Sequence, residues 1–287
     1  MRVIKPFSQD KHPLLYLVGS PLGNLGDFSF RQREIIEEAD LIACEDTRVT
    51  SDLLAKLNLP KKNLVSCYSQ KEAEEGKKIV AQMKEKNLTV AFLSDAGMPG
   101  ISDPGALLAK LCEDEGIPVS TVPGPTAFVS ALVVSGFDTS DFSFFGFLPV
   151  KSSARKRKLT ELKEREETLI FYEAPHRLKD VLSDMEEVFG NKREVSVSRE
   201  MTKIHEEYWQ GTLEEIVANL DELTLKGEFV IVVKGAEKGE AVFSEETVVK
   251  EGRELLQQGY RKTEAAKILA KKYSLPKDNV YKLISTI

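Results

Sequence analysis

Residues 88–115, LTVAFLSDAGMPGISDPGALLAKLCEDE, pass from an apolar run through a stretch dense in glycine, proline and aspartate into a segment with helical periodicity. A short apolar run followed by a breaker-rich loop and an amphipathic helix is one βα unit, and its loop falls at the C-terminal end of the strand. Ligands collect at that edge of an open α/β sheet, because strand ends and helix N-termini leave backbone N–H groups free there. Glycine lets a ligand approach the main chain, and proline holds the loop in shape. The stretch therefore predicts both a fold class and a place for a ligand.

The same pattern extends in both directions. LLYLVG, DLIACE, NLVSCY, LTVAFLSD and IPVSTVPG read as five strands, alternating with helical segments that include one around Lys77 to Lys86. Such alternation predicts a largely parallel sheet. PGPTAFVSALVVSGF reads as a turn opening a helix, with Thr126 placed as its N-cap. A second set follows: FSFFGFL, a basic helix from Ser152 to Glu166, TLIFYEA, RLKDVLSDMEEVFG, REVSVSRE, EEYWQGT, LEEIVANL and EFVIVVKG. Here the strand candidates lie closer together, which predicts antiparallel pairing and a mixed sheet. Beyond Lys234, GAEKGEAVFSEE reads as a linker to three helical segments, a helix-turn-helix-like appendage or a plain capping or dimerisation element. The expected organisation is an N-terminal α/β domain at 1–123, a second α/β domain with a mixed sheet at 124–236, and a linker with a helical extension at 237–287.

Composition limits the function classes. The chain has 287 residues and a formal net charge of −6, an acidic balance that argues against a whole-surface nucleic-acid binder. Basic residues are instead concentrated locally, at Lys151, Arg155, Lys156, Arg157 and Lys158 and in the C-terminal tail, where they can meet phosphates. The three cysteines and three histidines are scattered, so neither a disulfide framework nor a metal site is expected. No apolar run approaches the roughly 20 residues a membrane helix needs, and the N-terminus does not read as a signal peptide, so a soluble cytoplasmic protein is expected.

Three loops fall at the predicted ligand edge: GSPLGNLGD, SDAGMPGISDPG and TVPGPTA. The first does not fit the dinucleotide pattern GxGxxG, and no GxxxxGK[ST] phosphate loop is present. A nucleotide held mainly through backbone, without a pyrophosphate, fits this set better than a dinucleotide or ATP.

GSPLGNLGD, CEDTR, SDAGMPGISDPG, VPGPTA and FYEAPHR, in this order, resemble the tetrapyrrole methylase superfamily. The longer runs ACEDTRVTSDLL and IFYEAPHRL resemble its ribosomal RNA small-subunit methyltransferase I branch, the 16S rRNA (cytidine-2′-O)-methyltransferases. The resemblance implies S-adenosylmethionine in a cleft between two α/β domains, a homodimer, and methyl transfer to a cytidine ribose in the decoding region of 16S rRNA in the small ribosomal subunit. It places Pro21, Ser94, Asp95, Gly97, Met98, Ile101, Thr126, Ala127 and Tyr172 at the cofactor.

A ribose hydroxyl is a weak nucleophile at neutral pH, so a base or a cation near the developing alkoxide is expected. Glu45, Asp46 and Arg48 sit at the expected sheet edge; Glu173, His176 and Arg177 supply the opposite wall, the last two placed in the first turn of a helix opened by Pro175. Sequence does not choose one base among them. Arg199 and Glu200, in SREMTKIHEE, read as a substrate wall or interdomain element, and Lys151 to Lys158 as contacts to the rRNA backbone. Two rivals remain at this point, a small-molecule tetrapyrrole or corrinoid methylase of the same fold and a non-catalytic nucleic-acid-binding regulator.

Overall fold

Alternation within the strands decides how the first sheet is layered. In a computed structural model that describes residues 13–237, 245–273 and 275–285, β1 (Leu14–Val18) sends Leu14, Tyr16 and Val18 to one apolar cluster and Leu15 to another. The first cluster also takes Ile35 and Ile36 of α1 (Phe30–Glu38) and Leu54 of α2 (Thr47–Lys56). The second takes Ile79, Val80 and Met83 of α3 (Glu72–Lys86) and Leu108 and Cys112 of α4 (Ala106–Asp114). Both faces of the sheet are thus covered by helices, as βα crossovers require.

β1 pairs in parallel with β4 (Thr89–Leu93) and β5 (Val119–Val122), and β2 (Leu41–Cys44) with β3 (Leu64–Ser66) and β4. The order β3-β2-β4-β1-β5 makes β4, β1 and β5 neighbours, so the three glycine-rich loops leave adjacent strands at one edge.

The second sheet is mixed, in the order β6-β7-β10-β8-β9. β6 (Phe142–Phe147) is parallel to β7 (Thr168–Glu173), whereas β10 (Phe229–Val233) is antiparallel to β7 and β8 (Glu194–Arg199), and β8 to β9 (Glu207–Thr212). One face packs on α6 (Ser152–Leu162), α7 (Leu178–Phe189) and α8 (Leu213–Ala218). The other is covered by Ala131 and Leu132 of α5 (Ala127–Ser135).

Several local readings shift. The basic helix ends at Leu162 rather than Glu166, because Leu159 and Leu162 are its last buried side chains and the charged residues beyond supply no apolar anchor. The helix around Lys77 to Lys86 begins earlier, at Glu72. Glu72 is buried, and its carboxylate accepts from Gly105 N–H at 2.8 Å and Leu108 N–H at 3.0 Å, two of the free donors at the start of α4. The α4 N-cap is Gly105, which has no side chain of its own to do this.

The described residues form two compact units, one holding both sheets up to Lys234 and the other comprising Glu164–Glu166 and the chain from Gly235. In the latter, α9 (Glu245–Gln257), α10 (Lys262–Lys272) and α11 (Lys277–Ser285) close around Val248, Ala265, Ala266, Leu269, Val280 and Ile284. Most of the linker read at 235–246 and the N-terminal segment before Pro13 lie outside the described residues. Among the described residues no helix is long and apolar enough to cross a membrane. Cys44, Cys67 and Cys112 are free and buried.

Candidate active site

The three loops are stitched to one another through main chain. Ser20 and Gly97 exchange both backbone hydrogen bonds, at 2.7 and 3.0 Å. A Cβ on Gly19 would stand 2.7 Å from the Cα of Gly124, so the first and third loops touch backbone to backbone where only glycine fits. Ser20 Oγ donates to the Ser94 carbonyl at 2.7 Å, and Ser94 Oγ donates back toward the Gly97 carbonyl at 3.2 Å.

These loops and the ends of the second sheet enclose a cavity of about 380 Å³. Of the residues expected at the cofactor, Asp95, Gly97, Met98, Ile101, Thr126, Ala127 and Tyr172 line it. Pro21 and Ser94 do not; both are buried beneath the loops, where Ser94 fixes their shape. Thr126 stands at the N-cap of α5 but leaves the cap unmade, its Oγ1 donating to the Gly124 carbonyl at 3.3 Å. Tyr172 Oη accepts from Phe128 N–H at 3.3 Å, and its ring meets Phe144 and Phe147 edge-on. Burial pushes its hydroxyl up to about 12, so it remains a neutral phenol.

The residues expected to do chemistry separate. Glu45 and Glu173 line the cavity; Asp46, Arg48, His176 and Arg177 do not. Asp46 is the N-cap of α2 and pairs with Arg48 through Nη2 at 2.6 Å, which with the Arg48 N–H holds its carboxyl down to about 2. Arg48 is exposed, its side chain 89% accessible. His176 is exposed in the turn before α7, and Arg177 is the N-cap of that helix, so neither is in its first turn as the sequence reading had it. The Arg177 guanidinium donates to the carbonyls of Leu148 at 2.7 Å and Pro149 at 3.3 Å. Glu173 is buried and lies 3.3 Å from Arg177 Nε; burial raises its carboxyl, opposed by the Ala174 N–H and by that guanidinium. Glu45 is raised chiefly by burial, with the charges of Asp95 and Asp46 adding to it.

The basic helix also divides. Arg155 is corrected: its side chain is 5% exposed and bonds Asp184 at 2.6 Å, with Nη1 on the Val150 carbonyl at 3.1 Å. A guanidinium buried in this way braces the protein and is closed to RNA. Lys156 bridges Asp184 and Glu187, and Lys158 sits near Glu161 and over the Phe145 ring. Lys151 and Arg157 are exposed. In SREMTK, Glu200 packs against Gly227 and Lys203 against Gly23, linking the second sheet to the first loop.

Sequence reasoning missed Leu22, Ser102, Asp103, Phe147, Gly227, Glu228 and Val230 on the lining. Asp103 was legible, since it lies inside the quoted loop; Gly227 and Glu228 carried only the signal of a glycine before a strand. Burial, with the charges of Glu45, Asp95 and Glu228, pushes the Asp103 carboxyl up to about 6.

Among the described residues, five carboxylates therefore line the cavity, Glu45, Asp95, Asp103, Glu173 and Glu228, and no lysine, arginine or histidine does. Such a lining disfavours a polyanion and favours a ligand with an apolar body and a positive charge.

The family model for the tetrapyrrole (corrin/porphyrin) methylases matches residues 14–217. The ribosomal RNA small subunit methyltransferase I of Halalkalibacterium halodurans is 44% identical over 281 residues, 96% of each chain. The protein of that name from Thermotoga maritima is 44% identical over 223 residues, 78% of this chain and 99% of its own. Among solved structures, cobalt precorrin-4 methyltransferase superposes with a TM-score of 0.59 at 18% identity, covering 78% of this chain and 95% of its own. Uroporphyrin-III C-methyltransferase from Thermus thermophilus gives 0.55 at 22%, over 78% and 94%. These structural likenesses are of fold; the sequence relatives carry the branch. The chain belongs to the tetrapyrrole methylase family, within its ribosomal RNA small subunit methyltransferase I branch.

Proposed function

We propose that this protein uses S-adenosylmethionine to methylate the ribose 2′-hydroxyl of a cytidine in the decoding region of 16S rRNA, acting in the cytoplasm as a homodimer. The observation that carries the reading is a cavity whose charged lining, among the described residues, is all carboxylate, in a chain of this branch. S-adenosylmethionine supplies an electrophilic methyl carbon on a sulfonium, and the lining suits it: apolar Leu22, Met98, Ile101 and Tyr172 for its body and Asp95 for positive charge. Gly97, Thr126 and Ala127 present loop backbone and the start of α5 to it. Phe147, at the end of β6, and Tyr172 would keep water from the reacting centre.

The branch relationship, 44% identity over 96% of the chain to a ribosomal RNA small subunit methyltransferase I, favours RNA over a small-molecule tetrapyrrole as substrate. On the RNA side, exposed Arg48, Lys151 and Arg157 offer phosphate contacts that position the substrate without reading its sequence. Residues 1–123 and 124–236 would act as two α/β domains with the cofactor cleft between them, and 237–287 as a helical extension toward RNA or a partner subunit. Exposed Val129, Val133 and Val134 on α5 beside Phe142 support the homodimer.

The test is methyl transfer from tritiated S-adenosylmethionine to small ribosomal subunits from cells lacking this activity, with the label mapped to nucleotide and atom. Label on a cytidine 2′-oxygen is expected. Cofactor binding without label on subunit or naked 16S rRNA would overturn the substrate assignment.

A further inference from the structure

The five lining carboxylates are not equivalent. Glu45 Oε2 accepts from Asp95 N–H at 3.4 Å, and Asp95 Oδ1 accepts from Asp46 N–H at 3.2 Å. Glu173 Oε1 accepts from Ala174 N–H at 2.8 Å, and Glu228 Oε2 pairs with Lys203 at 2.8 Å. Asp103 is the one with neither a hydrogen bond nor an ion pair among the described residues, although it is half-buried. A carboxylate withdrawn from water and left without a protein partner is free to engage what enters the cavity.

The backbone around Asp103 is fixed with unusual care. Ser102 takes a left-handed φ of +66°, uncommon for a residue other than glycine, and Gly100 and Gly105 take +81° and +125°. Glu72 reaches from α3 to hold the far end of this loop through Gly105 and Leu108 N–H. The Gly100 N–H, donating to the Pro104 carbonyl at 3.0 Å, closes the loop around Asp103, and the two together position its side chain as a catalytic group requires.

The other candidates are each committed elsewhere. Asp46 is off the lining and bound by Arg48, which makes it a poor proton acceptor. Glu173 faces the Arg177 guanidinium, and His176 is exposed outside the cavity. Glu45, Asp95 and Glu228 face Asp103 electrostatically, and each favours a proton on Asp103 over a bare charge; the Tyr172 hydroxyl, held neutral, faces it as well. Among the described residues these acids do not form a group able to hold a metal ion. A proton acceptor works best with affinity near the working pH, and Asp103, pushed up to about 6, is closer to that than an ordinary carboxylate.

Resting on the ribose-methylation reading of the cavity, we propose that Asp103 is the catalytic base that takes the proton of the 2′-hydroxyl. As the ribose oxygen bonds to the methyl carbon, the carbon–sulfur bond breaks with its electron pair going to sulfur. The hydroxyl proton passes to the Asp103 carboxylate. One anion, one hydroxyl and one sulfonium become a carboxylic acid, a methyl ether and a neutral thioether, so charge and atoms balance.

The experiment compares full-length wild type, Asp103→Asn and Asp103→Glu. It measures S-adenosylmethionine affinity by calorimetry and single-turnover methyl transfer to the small subunit, from about pH 5 to about pH 8. Wild-type transfer should show an acid limb, placed below the ligand-free value of about 6 because a bound sulfonium favours the ionised carboxylate. Asp103→Asn should lose about 100-fold or more in the saturated rate and lose that acid limb, while its cofactor Kd weakens less than about tenfold. Asp103→Glu should recover part of the rate and keep the limb. Cofactor affinity of the wild type should tighten as pH rises through about 6, and that of Asp103→Asn should be flat.

An Asn variant within about threefold of the wild-type rate, or one that keeps the acid limb, would overturn the proposal and leave the function standing. Weakened cofactor binding with an unchanged saturated rate would overturn it too, making Asp103 a binding residue. Wild type that binds cofactor yet labels no ribose would sink the function itself, and the base with it.

Discussion

The two walls of the cavity are made of different material. The wall from the first sheet is main chain: three loops from adjacent strands, locked by the Ser20–Gly97 exchange and the Gly19–Gly124 approach. The wall from the second sheet is side chain: Phe147, Tyr172 and Glu173, carried on strand ends whose supporting loop at 148–150 is pinned by the guanidiniums of Arg155 and Arg177. A backbone wall needs particular glycines and so leaves a written motif. A side-chain wall needs distant braces, and its residues read as ordinary strand and helix.

Removing a brace should do the most damage. Arg155→Ala would leave Asp184 buried without its closest cation and release the carbonyls of Pro149 and Val150. Losing one member of a buried pair costs about 3–5 kcal/mol, against less than about 0.5 kcal/mol for Arg157→Ala, two residues on and exposed. Thermal melts of the two variants check this. Equal melting temperatures would mean that the second wall does not depend on its brace, and would return Arg155 to the surface.

Next in size is a substitution in the backbone wall. Gly124→Ala would place a Cβ 2.8 Å from Gly19 Cα, an overlap with main chain that no rotamer relieves. Overpacking of this kind costs about 1–3 kcal/mol, or roughly 2–4 °C in Tm for each kcal/mol. Gly116→Ala is the opposite control: Gly116 takes a left-handed φ of +79°, which Gly124 does not, and its Cβ would meet nothing within 4 Å, so it reports conformational strain alone. The sharper reading is ligand affinity, which Gly124→Ala should lower and Gly116→Ala should not. If both variants bind cofactor equally, the loops are merely turns.

The difference between the walls also explains what the sequence made legible. All five strands of the parallel sheet could be read because short apolar runs are punctuated by glycine and proline, and the mixed second sheet could be read from its closer spacing. The loops SDAGMPG and VPGPTA could be picked out because their glycines report backbone shape directly, and both line the cavity. Arg155 was misread because the four basic residues in a row at 155–158 look alike until helical phase turns one inward, toward Asp184 some thirty residues away. Glu72 and Glu228 act on groups far along the chain, and nothing local to them signals it. Asp103 was in plain view, but whether an acid is partnered is a property of the fold alone.

That lone acid gives the smallest effect and the most discriminating one. An aspartate unfolded in water titrates near about 4, whereas Asp103 in the folded chain is pushed up to about 6. Between those values the folded chain holds a proton that the unfolded chain has released, so stability falls as pH rises through the window and levels off above it. Asp103→Asn is neutral throughout. In the ligand-free protein it should leave Tm unchanged at about pH 4 and raise it by about 2 °C at about pH 8, a rise kept small because water reaches the cavity. A cationic ligand should erase the advantage, since it stabilises the ionised wild type and has less to hold in the variant. The backbone wall would then be seen to carry, at its centre, a side chain that weakens the empty protein for the sake of what fills it. A variant with no gain at high pH would place Asp103 in ordinary solvent contact and reduce the first wall to glycine geometry alone.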